Sequence, residues 1–197
     1  MAETRKYEMR ERAHQVARTR ARIAAVTAEL HEEVGPARTT VAEIARRAGV
    51  ERLTVYRHYP DELALFGACQ AHFLAEAPPP DPRVHSGVAD PDARLEAVLA
   101  DLYGWYREHR RMVRNVTRDA ELLPALEEAL APQREAMGRA VELLLQGRGL
   151  RGRRRALVAT ALGLVLSFRT WEALTAAGLD DGEAARLAVA MVAGAVG

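Results

Sequence analysis

Cysteine is almost absent. Cys69 stands alone among 197 residues, which excludes an intramolecular disulfide and any zinc site built on several thiolates. On the apolar face of a helix such a residue is expected to be a small buried hydrophobe. Aromatic residues make up only 5% of the chain, whereas alanine occurs 38 times. Alanine favours helices and is depleted from strands, so a β-sandwich or barrel is disfavoured and an all-α protein is expected. Long hydrophobic runs are missing too. The longest uncharged, largely apolar stretch, Ala156 to Phe168, has 13 residues between Arg155 and Arg169, short of the roughly 20 that span a bilayer. The opening Met1-Ala2-Glu3-Thr4-Arg5 lacks the apolar core of a secretory signal, so a cytoplasmic protein is expected.

Catalytic signatures are missing as well. The sequence has no Gly-x-Ser-x-Gly, phosphate-binding glycine loop, His-Glu-x-x-His or thiolate cluster, so no enzyme, no cofactor and no metal site is expected. His72 and His109 are isolated. The remaining catalytic alternative is a small all-α hydrolase or transferase using His109 with Asp101 or Glu108.

What is present is organised along the chain. Net charge is +1, yet residues 1–60 hold 12 Lys/Arg against 8 Asp/Glu and residues 61–197 hold 16 against 19. Arg5, Lys6, Arg10, Arg12, Arg18, Arg20 and Arg22 make the N-terminal end basic, as a nucleic-acid footprint or an ordinary Arg-rich helix would. The clearest break runs from Ala77 to Pro91 and holds five of the nine prolines, so no helix is expected there. The expected division is a head at 1–60, a connecting helix at 61–76, a Pro-rich loop at 77–91 and a body at 92–197.

About nine helices are expected, four before the break and five after it. The first ends near Val34-Gly35-Pro36 with Ile23, Val26, Leu30 and Val34 as its buried stripe. The second runs from Thr40 to Gly49, the third from Arg52 to Tyr59, and the fourth follows the N-cap Asp61 and buries Leu65, Phe66, Cys69 and Phe73. After the break, Asp90-Pro91 opens a helix with Leu95, Val98, Leu99, Leu102 and Tyr106 on one face. A helix or broken helix covers Arg111 to Leu123. Pro124 starts another, with the stripe Leu126, Leu130, Met137, Val141 and Leu144. The last two run from about Arg154 to Ala177 and from Asp181 to Val196, the second announced by Asp180 and Glu183 at capping-box spacing.

The short second and third helices are the most informative. Thr40-Val41-Ala42-Glu43 has the form of a capping box, and Val41, Ile44, Ala45 and Ala48 then share a face. Gly49 is placed for a left-handed turn, and Val50 and Val55 bracket an N-cap at Glu51 like a hydrophobic staple. With Val55 and Tyr59 inward, Arg52, Leu53, Thr54, Tyr56, Arg57 and His58 face outward. Such a pair suits a helix-turn-helix whose second helix enters a major groove. On geometry alone an αα-hairpin in a helical core is equally compatible.

From Gly35 to Val50 and from Thr54 to Tyr59 the residues resemble the TetR family of transcriptional regulators. The resemblance covers about residues 18–75 and rests on Thr40-Val41-x-x-Ile44-Ala45-x-x-Ala48-Gly49-Val50 followed by Thr54-x-Tyr56-x-His58-Tyr59. It implies a homodimer with two DNA-binding heads, a helical effector-binding body and repression of a palindromic operator. It also implies DNA contacts from Arg38, Thr39, Thr40, Arg52, Leu53, Thr54, Tyr56, Arg57 and His58. Thr40 corresponds to the family's phosphate-holding threonine, Arg52 to Thr54 lie where bases are read, and Tyr56 and His58 match backbone or groove contacts. The pattern breaks at Leu53, usually small or proline, and at Glu62, usually lysine; Arg57 or Arg38 must then supply the missing cation. His31 stands where a core aromatic is usual and is read as a packed histidine.

In the body, residues 156–177 are apolar on more than one face, and the final helix is similar. A second copy of the chain is the natural cover. The expected interface is Leu157, Ala161, Leu164, Phe168, Leu187 and Met191, with a stripe through Leu162 and Leu166 as the alternative. Tyr103, Tyr106, His109, Met137, Phe168 and Trp171 mix apolar bulk with polar tips and are the candidate pocket for an unknown, largely apolar small molecule. A DNA-binding protein without effector is the other alternative. Arg148, Arg151, Arg153, Arg154 and Arg155 are expected in a solvated loop.

Overall fold

The computed structural model describes residues 2–195, with the side chains of residues 2–6 and of Glu8 set aside. The expected helix end at Val196 and the Arg5 and Lys6 side chains lie outside the described residues. All regular structure among them is helical, and the contacts divide the chain into two compact units. The first comprises residues 1–78 and 115–130, the second residues 79–114 and 131–197. Residues 115–130, expected in the body, thus pack with the head.

The first unit contains α1 (Ala2–Glu33), α2 (Val41–Ala48), α3 (Arg52–His58), α4 (Glu62–Glu76), the second half of α6 (Arg110–Asp119) and α7 (Pro124–Ala129). Its main core gathers Ile23, Val26 and Leu30 of α1, Ile44, Ala45 and Ala48 of α2, Val55 and Tyr59 around α3, and Leu65 of α4. Val34 drops out of the expected stripe because the helix has ended; it is exposed, while Thr27 and His31 are buried in its place. Asp61 caps α4 as expected, its carboxylate accepting from the Ala64 N–H at 2.8 Å. Phe66, Leu126 and Ala129 form a second cluster, with α7 packed on α4.

His31 Nδ1 lies 3.3 Å from Cys69 Sγ, and its ring tilts against Phe66 at 5.6 Å. Burial lowers its pKa to about 4 against a smaller upward pull from Asp119. The same burial pushes the Cys69 thiol up to about 12, so both behave as packing residues at neutral pH.

The second unit contains α5 (Pro91–Glu108), the start of α6, α8 (Ala131–Leu145), α9 (Gly152–Val165), α10 (Phe168–Ala176) and α11 (Asp181–Gly194). A single-turn 3-10 helix at Pro82–His85 interrupts the loop expected to be free of helix; a short 3-10 turn tolerates the proline at its start. Asp90 and Asp180 cap α5 and α11, the latter with the full capping box. Two expected helices are each broken in two, giving 11 α-helices among the described residues rather than about nine. Pro132 explains the first break: inside one continuous helix it would remove a hydrogen bond and clash, but near the start of α8 it does neither. Ser167 explains the second. Its hydroxyl accepts from the Thr170 N–H at 3.3 Å, opening α10 at 63° to α9.

The arginine cluster is solvated only in part: Arg151, Arg153, Arg154 and Arg155 are exposed, and Arg148 is not. The Arg148 side chain is only 7% exposed, donating to Asp92 at 2.8 Å and to the carbonyls of Pro91 and Leu144, both at 3.0 Å. Arg153, Arg154 and Arg155 lie in the first turn of α9. Among the described residues no single helix is long and apolar enough to cross a membrane, and no cluster of three or more His, Cys, Asp or Glu side chains could hold a metal ion.

Candidate nucleic-acid interface

Helices α2 and α3 meet at Gly49, whose φ of 62° is the left-handed conformation that only glycine adopts cheaply. Its N–H turns back to the Ala45 and Arg46 carbonyls. The turn lets Val55 bury at 1% exposure while Leu53, on the opposite side of α3, stands at 70%. An apolar side chain so far in solvent takes no part in the core. Arg52, Tyr56 and Arg57 share that exposure, and Thr54 and His58 are half-buried at its edge.

Thr40 is the N-cap of α2, its hydroxyl oxygen accepting from the Glu43 N–H at 3.2 Å. The hydroxyl proton stays available to a phosphate at the positive end of the helix. Glu43 does not complete the expected capping box: its carboxylate pairs with Arg46 at 2.6 and 2.9 Å, a side-chain contact on the same helix face that outcompetes the reach back to Thr40. Thr39 donates to the Gly35 carbonyl at 2.9 Å and so holds the turn before α2, while Arg38 and Thr40 are exposed. Tyr59 fixes the other end of α3. Its hydroxyl donates to the Arg20 carbonyl at 2.9 Å, with the Arg20 guanidinium 4.9 Å above the ring.

The sequence reading missed what supports the turn into α2. Asn115 on α6 donates to the carbonyls of His31 and Glu32 at 3.0 and 2.8 Å, capping the end of α1. Asp119, 1% exposed, accepts from the Ala37 N–H at 2.9 Å and from Arg118 at 2.6 and 3.0 Å. Burial raises its pKa, but the Arg118 bonds, the Ala37 bond and the charges of Arg118 and Arg38 together hold it below the usual value. Gly35, at φ 95°, is pressed so closely against Arg118 and Asp119 that a Cβ would clash with both. These partners lie more than 80 positions away in the chain, and no local periodicity announces them.

The geometry matches a known family at the head. Residues 23–69 match the family model of bacterial regulatory proteins, tetR family. Residues 23–69 are a TetR-family segment. Two uncharacterized HTH-type transcriptional regulators of Mycobacterium tuberculosis, strains CDC 1551 and H37Rv, are each 41% identical over 58 residues. That match takes in 29% of this chain and 31% of theirs, so it spans about a third of the length of these curated relatives. Among solved structures, NalD of Pseudomonas aeruginosa, the secondary repressor of the MexAB-OprM multidrug efflux pump, is 23% identical with a TM-score of 0.63, over 91% of this chain and 96% of that one. A TetR-like regulator from Rhodococcus sp. RHA1 is 19% identical with a TM-score of 0.62, over 87% and 91%. At these identities the likeness is one of fold, and it makes the whole chain a TetR-like fold.

In the body of this TetR-like fold, Tyr103, Tyr106, Phe168 and Trp171 are buried together. The Tyr103 and Tyr106 hydroxyls donate to the carbonyls of Val165 and Leu166 at 2.7 and 2.8 Å, and the Tyr106 ring meets Phe168 edge-on at 5.4 Å. Trp171 donates to Asp181 at 3.0 Å. His109 packs on Trp105 at 5.0 Å, and Met137 is partly buried against the same core. Asp101, weighed as a catalytic partner for His109, instead holds His85 at 2.7 Å.

Leu157, Leu164, Leu187 and Met191 are between 43% and 58% exposed, and Ala161 is half-buried. Phe168 is corrected out of that surface: it is 5% exposed because the bend at Ser167 turns it into the core. The alternative stripe is closed as well, since Leu162 and Leu166 are at 0% and 1%.

Proposed function

We propose that the protein is a ligand-responsive transcriptional regulator, a repressor that binds a palindromic operator as a homodimer in the cytoplasm and is released by a small, largely apolar molecule. The observation that carries the DNA-binding part is the outward face of α3, where Arg52, Leu53, Tyr56 and Arg57 are exposed beside the Thr40 cap. Arg52, Leu53 and Thr54 read base edges. Thr39 and Thr40 position the approach, while Arg38, Tyr56, Arg57 and His58 serve the backbone. Glu62 repels phosphate where a cation is usual, and Arg38 and Arg57 offset it.

Dimerisation uses the stripe of Leu157, Ala161, Leu164, Leu187 and Met191, because four of these large apolar side chains are otherwise left in water. The effector site is proposed at the ring cluster of Tyr103, Tyr106, Phe168 and Trp171 with His109 and Met137 beside it. What supports it is the concentration of rings at the bend between α9 and α10. Repression is in line with NalD, described as a repressor. Footprinting on the DNA flanking its own gene tests the reading: a protected two-fold symmetric site is expected, and purely sequence-independent binding would refute it.

A further inference from the structure

The charge of the head sits in the wrong place for the helix-turn-helix to grip DNA by itself. Without residues 1–22, the first unit holds six arginines against twelve Asp and Glu. Three of the six are engaged: Arg46 with Glu43, Arg47 with Glu33, and Arg118 with Asp119. Binding a duplex means replacing counterions on phosphates with protein cations, and Arg38, Arg52 and Arg57 are what remains for it without giving up one of those pairs. Residues 1–22 reverse the balance with seven Lys and Arg against three Glu.

Those residues also have no packing role that explains a helix. The core begins at Ile23 and Ala24, and from Tyr7 to Arg22 every described side chain but that of Thr19 is exposed, including Tyr7 at 71%, Met9 at 61% and Val16 at 55%. The basic positions go round the whole helix, and the apolar side chains Met9, Ala13, Val16 and Ala17 share only a short face of it. Glu11 and Gln15 hold Arg18 at 3.5 and 2.7 Å, an exposed arrangement of the kind that stabilises by little and exchanges readily. The segment lies outside residues 23–69 that match the family.

Its starting point is set by the recognition helix. Arg20 is bound to Tyr59, the C-cap of α3, through both its carbonyl and its guanidinium. From Arg20 back to residue 2, helical rise of 1.5 Å per residue carries the arm about 27 Å away from that point. We infer that residues 2–22 are a second DNA-contact element, a basic helical arm that leaves the head beside α3 and lays on phosphates, next to the base pairs read by α3, those of Arg10, Arg12, Arg18 and Arg22 that its orientation turns to the duplex. The arm reads no sequence and supplies the affinity that the acidic remainder of the head withholds.

This inference rests on the DNA-binding reading, and the experiment separates the two. Full-length protein, an Arg10→Gln/Arg12→Gln/Arg18→Gln variant and the corresponding triple Lys variant are titrated onto a 40-bp duplex of random sequence by fluorescence anisotropy, over a series of KCl concentrations. Gln and Lys keep helix propensity close to that of Arg. Loss of one to three phosphate contacts per protomer, at about 0.9 in log–log slope each, should flatten the salt dependence of the dimer by about 2 to 5. Affinity at low salt should fall at least tenfold, while the Lys variant keeps both slope and affinity. An unchanged slope in the Gln variant overturns the arm and leaves the regulator reading standing. A Lys variant as weak as the Gln one overturns the assignment to phosphate charge. Wild-type protein that binds no duplex at all overturns both.

Discussion

Asp119→Ala probes how the head is held in register. The carboxylate is 1% exposed and accepts from the Ala37 N–H at 2.9 Å and from Arg118 at 2.6 and 3.0 Å. The Ala37 bond is charge-assisted and partly buried, worth about 1.5 to 3 kcal/mol. The Arg118 side chain is 42% exposed, so it rehydrates when its partner leaves, and that half of the interaction adds little. The expected loss is therefore about 2 to 3 kcal/mol, or about 4 to 12 °C in Tm for a chain of this length. Asp119→Asn keeps an acceptor for Ala37 and should lose about half as much. Urea unfolding of the three proteins at one fixed protein concentration measures this, because dimerisation would otherwise shift the midpoint. Since Ala37 lies in the turn that starts α2, operator affinity should fall with stability. A midpoint change worth less than 0.5 kcal/mol in Asp119→Ala, on the order of an ordinary surface substitution, would refute the role given to this carboxylate.

Four further outcomes are expected. Tyr56→Phe and Thr40→Ala should weaken binding to all duplexes alike, whereas Arg52→Ala should relax one base preference per half-site at a cost of about 1 to 3 kcal/mol, measured by competition against single-base operator variants. Leu164→Arg combined with Met191→Glu should give monomers in sedimentation, since both side chains are exposed, at 58% and 49%; an unchanged dimer would place the interface elsewhere. His31 is neutral when buried, with its pKa lowered to about 4, so the unfolded chain binds the extra proton. Stability should thus be complete above about pH 6.5 and fall by about 3 kcal/mol as pH drops to 4. His31→Phe should flatten that slope in urea titrations at stepped pH. Finally, any effector found by thermal-shift screening should bind more weakly in the presence of operator, by the same factor by which it weakens operator binding; equal affinities would exclude it as the switch.

The sequence by itself determined the helix starts and the turn between α2 and α3. Thr40, Gly49, Asp61, Asp90 and Asp180 act through backbone groups within a few positions of themselves, and the i, i+3, i+4 stripes of α2 and α4 name their buried faces. Such signals are short-range, and they were legible for that reason. Tertiary structure decided what depends on partners far along the chain. No period in α6 could reveal that Asn115 and Asp119 hold the end of α1 and the turn at Ala37, because their partners are carbonyls and an N–H that every residue possesses. In a helix apolar all round, periodicity cannot choose the buried face. Only the bend at Ser167 sends Phe168 inward and leaves Leu157 and Leu164 outside. Arg148 makes the same point for charge: composition assigns five nearby arginines to solvent, whereas the carboxylate of Asp92 and two carbonyls supplied by α5 and α8 let this one be buried.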